Sequence, residues 1–209
     1  KGSYAFIENK NKIINKILNK KNINSKVLKV DEKIYLKFQK LIKNNYLNNN
    51  VNQKNLIFIF NICNFLKINL KKIIPTLNKF NGLRFRNEIV INGKKIKVIN
   101  DSKSTSFSST QELIDTKKKT FWILGGLPKK GDKFTLSKKD CFNLRAYIFG
   151  KNAEFFVKRL KDKVHYQKFN NMISAIKKIK IDFKKEQMSN EKIILFSPAS
   201  ASFDNFKNF

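Results

Sequence analysis

Three short segments concentrate the side chains of this 209-residue sequence that could bind or transfer a charged group. The first, the Asp101 loop (residues 99–106, Ile-Asn-Asp-Ser-Lys-Ser-Thr-Ser), brings a carboxylate, an ammonium group and several hydroxyls together. The second, the glycine loop (124–132, Leu-Gly-Gly-Leu-Pro-Lys-Lys-Gly-Asp), suits an anionic group that approaches the backbone. The third, the Ser197 loop (197–204, Ser-Pro-Ala-Ser-Ala-Ser-Phe-Asp), is small and rich in hydroxyls. Any one of them could be a capped turn, but their order and spacing favour a shared site.

Short apolar segments precede these loops and are predicted to be strands. Isoleucine and valine alternate from residue 89 to 98 around Asn92-Gly93, which indicates a hairpin with a two-residue turn. Further strands are predicted at 120–124, 145–149 and 192–196, and helical patterns occur at 110–117, 152–160 and 169–179. This alternation predicts a parallel sheet covered by helices, in which ligands collect beyond the carboxyl ends of the strands.

The amino-terminal part of the chain has a different pattern. A strand at 3–8 and a helix at 10–20 open it, an asparagine-rich loop is expected at 48–52, and apolar residues on most faces of 56–66 predict a buried helix. A further helix at 70–80 closes at Gly82, and Pro75 should kink or break it. We therefore predict an α/β fold with one domain at 1–82 and a second at 83–209.

The net charge is +30, from 45 Lys and Arg against 15 Asp and Glu, which by itself makes nucleic acid the first partner to consider. The lysines are spread along the whole chain, however, and accompany many Asn, Ile and Phe residues. Because these amino acids share A/T-rich codons, a biased genome accounts for the excess. A basic nucleic-acid-binding domain stays open as an alternative, although the sole tryptophan, Trp122, lies in a predicted buried strand.

Several classes of site lack the residues they need. Cys63 and Cys141 are the only cysteines and form no CxxC pair, so neither a disulfide framework nor a zinc site is expected. The only histidine, His165, is expected at the surface or at a strand edge, which removes His-based triads. No apolar run is long enough to span a bilayer and no signal peptide opens the chain. We therefore expect a cytoplasmic globular protein without a metal site built from its own side chains.

The loop sequences resemble those of a known family. Residues 100–105 (Asn-Asp-Ser-Lys-Ser-Thr), 125–129 (Gly-Gly-Leu-Pro-Lys) and 197–209 (Ser-Pro-Ala-Ser-Ala-Ser-Phe-Asp-Asn-Phe-Lys-Asn-Phe) are similar, in that order, to three signatures of the Mur ligases. The similarity is closest to the branch that adds D-glutamate. Residues 51–55 (Val-Asn-Gln-Lys-Asn) also resemble the HNxxN segment of the family, and 80–86 (Phe-Asn-Gly-Leu-Arg-Phe-Arg) its FxGLxHR segment.

The resemblance implies an ATP-dependent amide ligase of peptidoglycan synthesis. Such an enzyme adds D-glutamate to UDP-N-acetylmuramoyl-L-alanine through an acyl phosphate, with ATP and Mg²⁺ as cofactors. Its UDP-sugar domain and P-loop ATPase domain precede a Rossmann-like carboxy-terminal domain. Residues 1–82 then correspond to the end of the central ATP-binding domain, and 83–209 to a carboxy-terminal domain that is expected to be truncated. The chain begins without Met and contains no GxxxxGK(S/T), so we expect an incomplete enzyme that is inactive alone.

The same resemblance implies roles for individual residues. Nucleotide binding is expected from Asn52, Asn55, Arg86 and Asp101, the last as acceptor of the ribose hydroxyls, and a catalytic role near the transferred phosphoryl group from Lys103. D-Glutamate is expected to contact Thr105, Lys129, Ser202 and Phe209. The sequence departs from the family where Val51 and Phe85 replace frequent histidines and Leu127 replaces an Asp of some members. We expect a monomer with no specific nucleic-acid partner, and another Mur ligase is the nearest alternative.

Overall fold

The computed structural model describes residues 2–9, 11–18, 24–48, 50–186 and 191–201. The chain forms two compact units, Lys1–Asn81 and Gly82–Phe209. The first unit contains β1 (Tyr4–Ile7), α1 (Lys12–Leu18), β2 (Lys26–Lys29), α2 (Glu32–Gln39), α3 (Asn50–Phe65) and α4 (Leu70–Lys79). Strands β1 and β2 pair in parallel.

The core of the first unit forms between α2, α3 and α4, around the buried side chains of Tyr35, Leu56, Phe60 and Ile74. The buried amide of Asn61 on α3 ties α2 to this core, because its Oδ1 accepts a hydrogen bond from the N–H of Asp31 at 2.8 Å and its Nδ2 donates to the Asp31 carbonyl at 2.9 Å. Asp31 in turn caps the amino end of α2. These contacts fix the orientation of α3.

Within the described residues, the strand predicted at 3–8 and the helix predicted at 10–20 are confirmed as β1 and α1, and two other predictions for the first unit are wrong. The loop expected at 48–52 ends earlier, since α3 already begins at Asn50. Helix α3 is apolar on most faces but is buried on one side only, and Ile59, Ile62 and Phe65 are 40%, 37% and 41% exposed within this chain. The helix predicted at 70–80 is present, and Pro75 lies inside α4 without ending it.

The second unit contains one six-stranded sheet. Its elements are β3 (Glu88–Asn92), β4 (Ile96–Asn100), α5 (Phe107–Gln111), β5 (Lys119–Gly125), β6 (Leu144–Phe149), α6 (Ala153–Leu160), β7 (His165–Phe169), α7 (Met172–Lys185) and β8 (Lys192–Phe196). The strand order is β3-β4-β8-β5-β6-β7, and every neighbouring pair is parallel except the β3–β4 hairpin. The predicted α/β fold with a mainly parallel sheet is therefore confirmed.

Both faces of this sheet are buried, as parallel sheets require. Along β5, Trp122 and Leu124 face the side of the sheet on which Phe107 of α5 and Phe156 of α6 pack. Residues 121 and 123 face the opposite side, where α7 covers the sheet. The predicted burial of Trp122 is confirmed. This double burial explains why the inner strands are continuous apolar runs and why polar groups concentrate at the strand ends.

Two helix predictions for the second unit are corrected, and one strand was not predicted. The helix expected at 110–117 is instead α5, which starts at Phe107 because the Ser106 side chain caps it, and ends at Gln111. The helix expected at 169–179 is α7, which starts at Met172 after the cap residue Asn171. Residue 169 belongs to β7, a strand that the sequence pattern did not indicate. His165, which opens β7, is exposed as expected.

The predicted hairpin is also present, but its turn lies two residues further along. Asn92 pairs with Lys97, and the N–H of Gly93 donates to the Ile96 carbonyl at 2.8 Å, so the turn is formed by residues 94 and 95. A β-bulge between Ile89 and Ile91 shifts the register. Placing the turn at Asn92-Gly93 was therefore wrong.

Candidate functional site at the carboxyl edge of the sheet

The three polar loops leave the sheet at one edge. Strands β4, β8 and β5 are neighbours and run parallel, so their carboxyl ends lie side by side. The glycine loop and the Ser197 loop are joined directly, because Leu127 and Ala201 exchange two backbone hydrogen bonds of 2.7 and 3.0 Å. The Asp101 loop joins them through the N–H of Asp101, which donates to the Phe196 carbonyl at 2.7 Å. The predicted convergence of the loops is thus found wherever they are described.

Asp101 lies at the centre of these contacts. The residue is buried, with 8% of its surface exposed. One oxygen, Oδ1, accepts from the N–H of Asn87 at 3.0 Å, and the other, Oδ2, accepts from the hydroxyl of Ser197 at 3.0 Å. The side chain therefore links the turn before β3 to the end of β8.

The environment of Asp101 changes its acidity. Burial raises the pKa of the Asp101 carboxyl, and this effect outweighs the opposing hydrogen bonds from Asn87 and Ser197 and the positive charge of Arg86. The carboxylate thus keeps its charge at a cost, which its two donors and the nearby guanidinium reduce.

A group of buried hydroxyls continues from Asp101. Ser197 is hydrogen-bonded to Thr110 at 2.7 Å, and Thr110 to Ser104 at 2.8 Å. The backbone carbonyl of Ser197 accepts from the indole Nε1 of Trp122 at 2.7 Å. The Asp101 loop, α5 and the Ser197 loop are therefore held to the same point of the sheet core.

The glycine loop depends on its two glycines. Gly125 and Gly126 have φ values of 153° and 128°. A Cβ on Gly125 would collide with the backbone carbonyl of Phe149, and one on Gly126 with the Ser200 side chain and the Ala201 carbonyl. The Ser197 loop can lie against the glycine loop because Gly126 has no side chain, and the missing side chain of Gly125 leaves room for Phe149 at the end of β6. The spacing of this Gly-Gly pair is thus explained by close backbone approach.

The second carboxylate of this edge, Asp132, is also occupied internally. Its Oδ2 accepts from the N–H of Phe107 at 2.5 Å, and its backbone carbonyl accepts from Nε of Arg159 at 3.0 Å. By contrast, three lysines of the glycine loop and its continuation are exposed and make no ion pair within the described parts of the chain: Lys129, Lys130 and Lys133. This region therefore presents positive charge to an anionic ligand.

Backbone strain is concentrated at the same edge. Of the four described non-glycine residues with positive φ, three lie at this edge, Phe85, Asn87 and Ala199 with φ values of 66°, 46° and 55°; the fourth, Lys67 at 58°, belongs to the first unit. Each such conformation costs on the order of 1–3 kcal/mol and persists where surrounding contacts impose it. Phe85 and Asn87 flank Arg86, and the hydrogen bond from Asn87 to Asp101 is one of those contacts. The exposed Arg86 is thereby held beside the Asp101 loop.

Comparison with known proteins assigns this arrangement to a family. No family profile matches the sequence. UDP-N-acetylmuramoylalanine–D-glutamate ligases of Wolbachia sp. subsp. Brugia malayi and of Francisella philomiragia are 34% and 33% identical over 159 and 162 residues, which are 76% of this chain in both cases. A crystal structure of MurF from Acinetobacter baumannii superposes on 76% of the chain with a TM-score of 0.55 at 13% identity, which shows a shared fold.

By sequence and by fold, this chain belongs to the Mur ligase family. The predicted family is therefore confirmed. The chain spans about a third of the length of the curated relatives it matches, namely 31% of the Wolbachia ligase and 38% of the Francisella ligase.

Five of the site residues predicted from the resemblance to Mur ligases lie at the carboxyl edge of the sheet. Arg86 and Asp101 are held together as described above, while Lys103 and Thr105 are exposed on either side of the buried Ser104. The N–H of Lys103 donates to the Phe85 carbonyl at 3.1 Å. Lys129 is exposed in the glycine loop. Ser202 and Phe209, also predicted at this Mur ligase site, lie outside the described residues.

The two remaining predicted residues belong to the first unit. Asn52 and Asn55 are three positions apart on α3 and thus share a face of that helix. The Asn52 side chain donates to the Tyr46 carbonyl at 2.7 Å, which holds the turn before α3, and Asn55 is exposed. These asparagines are thus positioned by helix α3 and not by the loops of the sheet.

Sequence reasoning did not single out Thr110, Ser197 or Asp132 as individual site residues. Thr110 fell within a predicted helix, and the other two stood in the polar loops without an indicated contact. The structure also places no group of three or more His, Cys, Asp or Glu side chains close enough to hold a metal ion among the residues it describes. Within the same residues, no helix is long and apolar enough to cross a membrane.

Proposed function

We propose that this chain supplies the carboxy-terminal part of an ATP-dependent ligase that adds D-glutamate to UDP-N-acetylmuramoyl-L-alanine. The single observation that carries the proposal is the junction of the three loops, which brings Arg86, Lys103, Thr105 and Lys129 to one edge of a Mur-type sheet. The names of the curated relatives support the same substrates. We assign residues 1–82 to the end of the central ATP-binding domain and 83–209 to the carboxy-terminal domain of a cytoplasmic, monomeric enzyme.

The chemistry of D-glutamate fits the glycine loop and the Asp101 loop. Its two carboxylates need cations or dense hydrogen-bond donors. The exposed ammonium group of Lys129 and the exposed hydroxyl of Thr105 provide both. The Asp132 carboxylate accepts from the N–H of Phe107 and makes no ion pair with the lysines of the loop within the described residues. Ser202 and Phe209 complete the proposed pocket on the basis of the family resemblance.

The residues on the nucleotide side also fit their proposed ligand. The exposed Arg86 and Lys103 suit phosphate oxygens, and we assign Lys103 the neutralisation of charge near the transferred phosphoryl group. Each oxygen of Asp101 has one described donor and retains acceptor capacity for a ribose hydroxyl. Asn52 and Asn55 are proposed to contact the base. Bound ATP would supply the phosphoryl group that activates the substrate carboxylate.

Magnesium has no set of protein ligands in the described part of this chain. Mg²⁺ is usually held by one or two carboxylates together with substrate phosphates and water. In the proposal it therefore accompanies the nucleotide, and no step is assigned to a metal-bound residue. The work of the chain is to bind, orient and neutralise the reactants.

The proposal is tested with the complete polypeptide that carries this sequence. ADP release should require both UDP-N-acetylmuramoyl-L-alanine and D-glutamate, and L-glutamate should not replace the D-enantiomer. The 209-residue chain alone should release phosphate from ATP only at background, because it contains no GxxxxGK(S/T) segment.

Two results would contradict the proposal. Coupling of ATP hydrolysis to a different amino acid would assign the chain to another Mur ligase. Turnover of ATP by the 209-residue chain itself, on the order of 1 per second as in ordinary enzymes, would refute its role as an incomplete part.

A further inference from the structure

A chain of hydroxyl groups runs from the surface of α5 to the carboxylate of Asp101. The Oγ of the exposed Ser109 lies 2.7 Å from that of Ser104, which is 2.8 Å from Oγ1 of Thr110. Thr110 is 2.7 Å from the Oγ of Ser197, which donates to Asp101 at 3.0 Å. Thr110 and Ser197 are fully buried and Ser104 is 4% exposed. Three of the four hydroxyls are thus out of contact with water.

Proton counting sets the direction of these hydrogen bonds. An ionised carboxylate only accepts, and a hydroxyl has a single proton to donate. Since Ser197 donates to Asp101, it must accept from Thr110. Thr110 has then used its proton, so it accepts from Ser104. Ser109 can give its one proton either to Ser104 or to the Ser106 carbonyl at 2.9 Å, so the hydrogen bonds with a fixed direction begin at Ser104. Hydrogen bonds aligned in one direction polarise and strengthen one another.

Thr110 links the two halves of this series of hydroxyls. It is the residue through which Ser104, in the Asp101 loop, is connected to Ser197, at the end of β8. Ser104 lies between Lys103 and Thr105 in the sequence, so its anchoring restrains both exposed neighbours. A residue without a hydroxyl at position 110 would leave the buried Ser197 without this donor and would remove the hydrogen bond that holds Ser104 to it.

We propose that Thr110 is a positioning residue, which acts through Ser104 and Ser197 to set the Asp101 loop against the Ser197 loop. Its importance for ligand binding rests on the function proposed above. Its effect on the two loops rests only on the described contacts. The competing explanation is that Thr110 contributes to general stability, like any buried threonine.

Thr120 provides a matched control for this distinction. It is 1% exposed, against 0% for Thr110, and its hydroxyl also makes a hydrogen bond, to the Lys118 carbonyl at 3.2 Å. Thr120 lies at the start of β5, at the opposite edge of the sheet. Thr110→Val and Thr120→Val therefore make the same chemical change at two buried positions, only one of which joins the loops. Thr110→Ser retains the hydroxyl.

The experiment measures amide hydrogen exchange in the 209-residue chain and its variants. Thr110→Val should accelerate exchange at least about fivefold at Asn87 and Ser104, whose N–H groups donate to the side chain and the carbonyl of Asp101. The amide of Tyr147 on β6 should change no more than in Thr120→Val. Thr110→Ser should restore wild-type exchange to within about twofold.

Two exchange results would overturn the inference. One is equal acceleration of Asn87 and Ser104 by Thr120→Val, and the other is failure of Thr110→Ser to restore the wild-type rates. If Thr110→Val does not fold, Ser197→Ala removes the same contact from the other loop and is judged by the same amides.

A second experiment, titration with D-glutamate, tests this inference separately from the proposed function. D-Glutamate should shift the amide signals of Thr105 and Lys129 in the wild-type chain, and Thr110→Val should weaken its affinity at least about fivefold. If D-glutamate shifts no amide signal in the wild type but Thr110→Val and Thr120→Val still differ in amide exchange, the positioning role of Thr110 stands and the proposed function is contradicted. An equal D-glutamate affinity in the wild type and Thr110→Val would overturn the importance of Thr110 for the ligand.

Discussion

The two edges of the six-stranded sheet use charge in opposite ways. At the amino edge, Glu186 lies 2.8 Å from Arg145 and 3.6 Å from Lys119, and Lys118 pairs with Glu191. At the carboxyl edge, Asp101 and Asp132 accept from backbone N–H and hydroxyl donors, Glu154 pairs with Lys168, and the lysines of the glycine loop face solvent. A lysine-rich chain thus forms one edge with neutralised charge and one that attracts anions.

The difference shows that the partners of the acidic groups matter more than the number of lysines. Where a carboxylate pairs with a lysine, the charges cancel locally and stability gains little. Where a carboxylate accepts from the backbone or from a hydroxyl, it organises loops and leaves nearby cations available. Mutations at the amino edge should therefore have small effects on stability, and mutations at the carboxyl edge should change loop order and ligand binding.

The largest effect on stability is expected for Asp101→Ala. The change orphans the buried hydroxyl of Ser197 and the N–H of Asn87, which should lower the free energy of unfolding at pH 7 by about 2–4 kcal/mol. Urea unfolding of the 209-residue chain measures it. A loss as small as that caused by Glu186→Ala at the amino edge would remove the distinction between the two edges.

A comparable effect on ligand use is expected for Lys129→Ala in the complete enzyme. Loss of a charge-assisted contact to a D-glutamate carboxylate should cost about 1.5–3 kcal/mol, or roughly 10- to 150-fold in kcat/KM for D-glutamate, with ATP affinity little changed. Lys118→Ala, at the amino edge, is the matched control and should leave these kinetics intact. Asp101→Ala should instead weaken the binding of ATP. Unchanged D-glutamate kinetics in Lys129→Ala would exclude Lys129 from the pocket.

A smaller effect should appear in the pH dependence of stability. Burial raises the pKa of Asp101, so the folded protein holds this proton more tightly than the unfolded chain does. The cost of the buried charge is thus present above the folded pKa and is relieved as pH falls towards the usual value of 3.8. Relative to Asp101→Asn, which does not titrate there, the wild type should gain stability between pH 7 and pH 4. A loss of stability relative to Asp101→Asn would show that the hydrogen bonds to Asp101 lower its pKa by more than burial raises it.

The smallest effect is expected for Glu186→Gln at the amino edge. The partners of Glu186 have side chains that are 24% and 34% exposed, so the ion pairs are partly screened by solvent. The substitution should lower the free energy of unfolding by only about 0–1 kcal/mol. The difference from wild type should shrink further in 0.5 M salt. A loss of several kcal/mol would mean that the amino edge also depends on its charged groups.

Much of this site could be predicted because strands and glycines leave local signals. The apolar strands before the loops and the Gly-Gly pair predicted a common edge before any contact was known. The short helix α5 could not be located in this way, since its start depends on the Ser106 cap and on the contact between Phe107 and the distant Asp132. Strand β7 was missed because its burial alternates only weakly along His165–Phe169.

The sequence by itself determined the α/β class, the family resemblance and the three loops that carry the chemistry, because these depend on local periodicity and short motifs. The tertiary structure decided which polar groups are bound internally and which face solvent. Asp101 and Lys129 were equal candidates in the sequence, yet the fold buries one beneath Ser197 and exposes the other. The order β4-β8-β5 places the end of the described chain between two earlier strands, so the bond between Thr110 and Ser197 joins residues 87 positions apart. Local sequence patterns cannot predict a contact between residues so far apart in the chain.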